Sequence, residues 1–170
     1  MGTYELIFEA APPTAEQLDS LYEHEDALVA AHGRAWFITI SSNGTSALSA
    51  GKSAVGRLEA LGIAIWRSYE DLVTRSEIAR RAGVTAQAVG LWTRGQRRSI
   101  GAPDFPEPFN YAGGGVELWL WGDVNTWLDP LGKADDMSHP SRVDHILINN
   151  WLLMRSTGWE VTSSWHLDAG

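Results

Sequence analysis

Apolar and polar positions alternate with period two over TYELIFEA, residues 3–10, with Tyr4, Leu6 and Phe8 on one side and Glu5, Ile7 and Glu9 on the other. This is the pattern of a strand with one buried face, and the mixed composition of the second face predicts an edge-like or half-exposed strand. Pro12-Pro13 interrupts it, after which Thr14 and Gln17 have the spacing of a capping box and Leu18, Leu21 and Tyr22 fall on one face of a short helix. Alternation resumes over residues 26–41, on both sides of His32-Gly33. Trp36, Ile38 and Ile40 there oppose Phe37 and Thr39, which predicts a hairpin whose second strand is the stronger. Between residues 43 and 62 the period becomes helical, with Leu48, Ala54, Val55, Leu58 and Leu61 near one stripe and Gly62 placed as a C-cap. IAIW, residues 63–66, supplies a further strand.

The element order over residues 1–68 is therefore β-α-β-β-α-β, which matches the ferredoxin-like split βαβ plan. That plan hosts regulatory, binding and enzymatic roles alike, so it assigns no activity. Gly51-Lys52-Ser53 repeats the second half of a phosphate-binding GxxxxGK[ST] loop, but Ser46 occupies the slot of the first glycine and Gly44 comes two places early. Without that glycine the backbone cannot close on a phosphate, and an ordinary helix start is expected.

SEIARRAGVTAQAVGLWTRGQ, residues 76–96, has a different logic. Ala79 is a small residue where two helices would cross, Gly83 fits the turn between them with Val84 beside it, and Thr85 can N-cap the second helix. Ile78 and Ala82 on the first helix then face Val89 and Trp92 on the second, as in a helix-turn-helix. Docked in a major groove, the second helix presents Thr85, Ala86, Gln87, Gly90, Leu91 and Arg94 to DNA. Gln87 has the donor and acceptor set for adenine, Arg94 for guanine or a phosphate, and Thr85 for a phosphate or a thymine methyl. Arg75, at the start of the first helix, completes the basic flank.

The next stretch contains an Arg-rich turn and an extended Phe105-Pro106-Glu107-Pro108 piece. A Gly113-Gly114-Gly115 hairpin tip, the strand VELWLW and a short helix GDVNTWL stopped by Pro130 follow. Residues 70–128 thereby resemble the winged helix-turn-helix of the MerR and phage-excisionase group. The resemblance implies a bacterial transcriptional regulator that binds duplex DNA, with Arg97, Arg98 and Asn110 in wing contacts to the backbone or minor groove. It also implies a homodimer, formed through a helix after the DNA-binding domain. The wing tip here is uncharged and followed by Glu117, where members of that group commonly carry basic residues.

Residues 129–140, DPLGKADDMSHP, read as a turn-rich acidic linker, with Asp135-Asp136 as a solvated turn. SRVDHILINNWLLM then places Val143, Ile146, Leu147, Asn150, Trp151 and Met154 near one face of an amphipathic helix, which needs its own chain or a second copy to cover it. Trp159 and Trp165 lie in the tail beyond.

Charge sharpens this division. The 170 residues carry a net charge of -8, divided as -5 over residues 1–66, +4 over 67–101 and -7 over 102–170. A basic segment on an acidic body suits phosphate binding while opposing sequence-blind adhesion. Cysteine is absent, so disulfides, thiolate zinc sites and a Cys nucleophile are excluded, and the five histidines have no metal-ligand spacing. No enzyme, metal or cofactor is expected. No apolar run approaches the ~18 residues of a membrane span and no signal-peptide pattern opens the chain, so a cytoplasmic protein without a membrane partner is expected. The reading is an α+β chain with a ferredoxin-like domain at 1–68, a winged helix-turn-helix domain at 69–130, and a linker, helix and tail at 131–170 that offer a dimerisation element. The N-terminal module would take a protein or small-molecule partner. The alternative is a protein-interaction or antitoxin-like adaptor that keeps the fold without strong DNA binding.

Overall fold

The first strand is interior to its sheet. In the computed structural model, which describes residues 1–96 and 103–156, β1 (Gly2–Ala10) lies between β3 (Ala35–Gly44) and β4 (Ile65–Ser68), and β2 (Ala27–His32) pairs with the far side of β3. All these pairings are antiparallel, in the order β2-β3-β1-β4. The edge-like reading of β1 is thus corrected: Glu5, Ile7 and Glu9 are half-buried because they line the sheet's open face. The opposite face, with Leu6 and Phe8 against Ile40 and Ile38, is fully buried.

That buried face is covered by Leu21 of α1 (Ala15–His24) and by Ala50, Ala54, Val55 and Leu58 of α2 (Ala47–Ala60). Both helices start at capping boxes, Thr14 with Gln17 and Ser46 with Ser49. Gly62 takes the left-handed conformation, φ +78°, that its C-terminal position calls for.

A second, three-stranded sheet has the order β5-β7-β6, from Leu72–Val73, Val116–Leu120 and Asn110–Ala112. Around it are α3 (Arg75–Arg81), α4 (Ala86–Trp92) and α5 (Trp121–Leu128), the last continuing into a 3₁₀ turn at Asp129–Leu131. Strand β5 has no alternation to announce it and forms because β7 supplies its partner. Among the described residues the chain is therefore an α+β protein with two antiparallel sheets and six α-helices.

The sixth helix, α6 (Arg142–Ser156), returns to the first sheet, where Ile148 and Leu152 join the core of β1, β3 and α2. Gly51 of α2 is what admits it, since a Cβ there would stand 3.2 Å from Ile148 Cδ1. The glycine of the Gly-Lys-Ser triplet thus serves helix packing. The buried stripe of α6 is His145, Ile148 and Leu152, while Val143, Ile146 and Leu147 of the expected apolar stripe are exposed. The turn before α6 is equally engaged. Asp135 accepts hydrogen bonds from Trp121 Nε1 at 3.0 Å, Asn125 Nδ2 at 3.0 Å and the Met137 N–H at 3.1 Å, and its carboxylate lies 2.9 Å from His139 Nε2. Against the opposing effect of burial, the His139 and Trp121 hydrogen bonds hold this carboxyl below the usual range, so Asp135 organises the turn.

His145 is 4% exposed and hydrogen-bonded through Nδ1 to Ser68 Oγ at 2.8 Å. Burial, more than any neighbouring charge, lowers its pKa from the ordinary 6.5. In the unfolded chain His145 takes up a proton near pH 6.5, whereas the folded chain holds it neutral to lower pH, so stability falls as pH drops through this window. Thermal melts from pH 7.5 to 5 should show that loss, up to ~1.4 kcal/mol per pH unit, and His145→Gln should flatten it. Equal slopes for both proteins would assign the loss to other groups.

Candidate nucleic-acid interface

The start of α3 is fixed locally. Thr74 Oγ1 accepts from the Glu77 N–H at 3.4 Å, and Glu77 Oε2 accepts from the Thr74 N–H and hydroxyl at 2.8 Å each. The backbone hydrogen bond from Thr74 is the main reason the Glu77 carboxyl titrates below its usual range. Between α3 and α4 the chain turns at Gly83, φ +64°, while the Val84 N–H closes back on the Ala79 carbonyl at 2.9 Å. Thr85 then caps α4, accepting from the Ala88 N–H at 3.1 Å. Ile78, Ala79, Ala82 and Val89 are buried together with Val73, Trp119, Trp121, Val124 and Leu128, so the two helices are locked onto the second sheet and α5.

Locking one side of α4 determines what its other side presents. Thr85, Ala86, Gln87, Leu91 and Arg94 are exposed, and the side chains of Gln87 and Arg94 have no hydrogen bond or ion pair among the described residues. Gly90 differs from expectation: it is buried, because the guanidinium groups of Arg75 and Arg94 lie over it, each 3.8 Å from where a Cβ would stand. Guanidinium groups from two separate parts of the chain therefore both lie close to this glycine.

Arg75 is also held by the β6–β7 hairpin, donating from Nη2 to Glu117 Oε2 at 3.0 Å. Its Nε is buried with no hydrogen-bond partner among the described residues, and Arg75 also borders a cleft of about 370 Å³ lined by Thr74, Ser76, Gly115, Val116 and Trp119. The hairpin tip turns at Gly114 and Gly115, both φ +78°, and leaves Asn110, Tyr111 and Val116 exposed.

Of the seven candidate DNA contacts, Gln87, Leu91 and Arg94 fall on one side of α4, Thr85 is exposed at its N-cap, Arg75 approaches Arg94 at Gly90, and Arg97 and Arg98 lie outside the described residues. The basic segment is less free than its count suggests. Arg67 pairs with Glu9 and Glu70, Arg81 with Asp71, and Arg75 with Glu117, which leaves Arg80 and Arg94 without ion pairs among the described residues. The Arg75–Glu117 link was missed from sequence because it joins positions 42 residues apart. Among the described residues no group of three or more His, Asp or Glu is placed to hold a metal ion, and no helix is long and apolar enough to cross a membrane. No family model matches the chain, and no curated protein or solved structure shows significant similarity to it.

Proposed function

We propose that the chain is a sequence-specific duplex-DNA-binding protein of the transcription-regulator kind, which engages DNA through α4 and the β6–β7 hairpin. The observation that carries this reading is the meeting of Arg75 and Arg94 over Gly90. Arg75 Nη1 and Arg94 Nη1 each lie 3.8 Å from where a Cβ at Gly90 would stand, so an anion bound beside this glycine can accept charge-assisted hydrogen bonds from both guanidinium groups. A phosphate of the DNA backbone is such an anion, and it would bring Gln87 and Leu91 against base edges. The α3–turn–α4 pair followed by a glycine-tipped hairpin supports a winged helix-turn-helix. Likewise, the βαββαβ order with strand order β2-β3-β1-β4 supports a ferredoxin-like first unit. In this reading the acidic remainder of the chain suppresses sequence-blind binding.

A second reading, a protein-interaction adaptor, draws on the neutralised arginines and on the exposed Tyr111 and Val116 of the hairpin, which suit a protein partner better than a phosphate backbone. Anisotropy titrations of labelled duplexes across a salt series separate the two. DNA binding gives an affinity that falls steeply as salt rises, whereas an adaptor shows no duplex binding even at low salt.

Gly90 offers an internal check. A methyl group there meets the two guanidinium groups only at ordinary contact distance, and alanine favours a helix by about 1 kcal/mol over glycine. Gly90→Ala should therefore raise the unfolding free energy by up to ~1 kcal/mol, yet weaken duplex binding about tenfold by holding the backbone away from the phosphate. A gain in stability without any loss of affinity would place the contact elsewhere.

A further inference from the structure

The first sheet closes most of its margin with its own chain. At β4, Asn149 of α6 acts as a substitute strand: its Oδ1 accepts from the Ser68 N–H at 2.7 Å and its Nδ2 donates to the Ser68 carbonyl at 3.3 Å. Along the N-terminal part of β1, beyond the reach of β4, Ser138 exchanges backbone hydrogen bonds with Thr3 and Glu5, both 2.9 Å. The opposite edge, β2, has no such cover among the described residues.

Strand β2, ALVAAH, is six residues long, contains no Asp, Glu, Lys, Arg or Pro, and pairs with β3 in an unbroken register. Charges, prolines and bulges are the usual devices that keep edge strands from pairing further, and all are missing here. The hairpin closes with His32 opposite Ala35 across Gly33, φ +65°, and Arg34. A two-residue loop makes its closing pair hydrogen-bonded, so Leu28 and Ala30 also turn their backbone groups to β3 while Val29 and Ala31 turn theirs outward. Those outward groups meet no partner among the described residues, and Leu28 is 73% exposed.

We propose that β2 pairs antiparallel with β2 of a second copy of this chain, about a two-fold axis at Ala30, making one continuous sheet from two. Opposite residues of an antiparallel pair share a face, so a symmetric pairing must centre on a residue. Centring on Ala30 sets Val29 against Ala31, which exchange both backbone hydrogen bonds, and Leu28 against His32. It also brings Asp26, just outside the strand at each end, near Arg34 in the hairpin turn of the other copy. Both side chains are exposed and have no ion pair among the described residues, and in this register the long Arg34 side chain is within reach of Asp26. Centring on Val29 would put Asp26 opposite His32, away from Arg34, and centring on Ala31 would carry Asp26 past the end of the other copy's hairpin, so neither neighbouring register brings the two charges as close. The interface uses the edge of the first sheet and is independent of the DNA reading.

The chain has no cysteine, which makes a single-site test clean. At a non-hydrogen-bonded pair the Cα atoms approach to about 4.5 Å, within disulfide range. Full-length Ala30→Cys is expected to form a disulfide-linked dimer under mild oxidation, while Ser20→Cys on α1 does not. In sedimentation the wild-type chain should be a dimer. Asp26→Arg and Arg34→Asp should each raise its dissociation constant at least tenfold, and the double reversal should restore it. A monomer at tens of micromolar, with circular dichroism unchanged, would overturn the proposal. So would a dimer that ignores both charge reversals and leaves Ala30→Cys unlinked, since it would use another surface.

Discussion

Replacing Trp119 with alanine is expected to lower the unfolding free energy by about 3–5 kcal/mol, the cost of removing a large aromatic from a packed core. Trp119 is 1% exposed, meets Phe105 edge-on at 6.0 Å between ring centroids, and donates from Nε1 to the Pro106 carbonyl at 3.0 Å. Truncation opens a cavity beneath the α3–α4 pair and strands that carbonyl. No neighbour can collapse into the space, because Ile78 and Val89 are already fixed by the helix crossing. Phe105 in turn packs edge-on against Trp127 at 4.9 Å, so the loss spreads through an aromatic chain. For a chain of this size the melting temperature should fall by about 10 °C. Trp66, 53% exposed on β4, is the matched control, and Trp66→Ala should change stability by less than about 0.5 kcal/mol. A Trp119→Ala loss below about 1 kcal/mol would mean that the second sheet is not organised around this residue.

How legible this molecule was in its sequence depended on the reach of each interaction. The Thr14–Gln17 capping box, the left-handed Gly62 and Gly83 and the Ile78–Val89 contact could be read because each lies within about a dozen residues of its partner, whereas the Thr74–Glu77 box was missed. Strand β1 was misplaced at an edge because alternation reports which faces are buried and is silent about which strands lie alongside. Strand β5 was missed because two residues hold no period, and its pairing with β7 depends on residues nearly fifty positions away. In α6 the apolar side chains outnumber what one face can bury. His145 and Asn149, polar by type, took the inner side through hydrogen bonds to Ser68, while Val143, Ile146 and Leu147 stayed outside. At the candidate interface the exposed set on α4 was accessible from helical spacing. The grip of Glu117 on Arg75, and the convergence of Arg75 and Arg94 over Gly90, required the folded arrangement.

The paired substitution Arg75→Ala with Arg94→Ala should have the larger functional effect. Arg94 is exposed, and Arg75 has only a partly exposed ion pair with Glu117, so the fold should lose at most about 1 kcal/mol from breaking that bridge. With the proposed DNA contact, binding should lose two charge-assisted hydrogen-bonding groups, about 1.5–3 kcal/mol each, which corresponds to a hundredfold or greater fall in affinity. The size of the salt dependence should fall with it, because each phosphate neutralised contributes about 0.9 to the slope of log affinity against log salt. Gln87→Ala differs in kind: it should leave that slope unchanged and relax discrimination at one base pair by about 1–3 kcal/mol.

The most direct measurement is the salt dependence of duplex affinity for the wild-type chain and the Arg75→Ala, Arg94→Ala variant, titrated side by side from 50 to 200 mM salt. Salt-sensitive binding by the wild type is expected, with a slope shallower by about 2 in the variant and its circular dichroism intact. Identical slopes and affinities, or no duplex binding by the wild type at 50 mM salt, would contradict the proposed DNA contact.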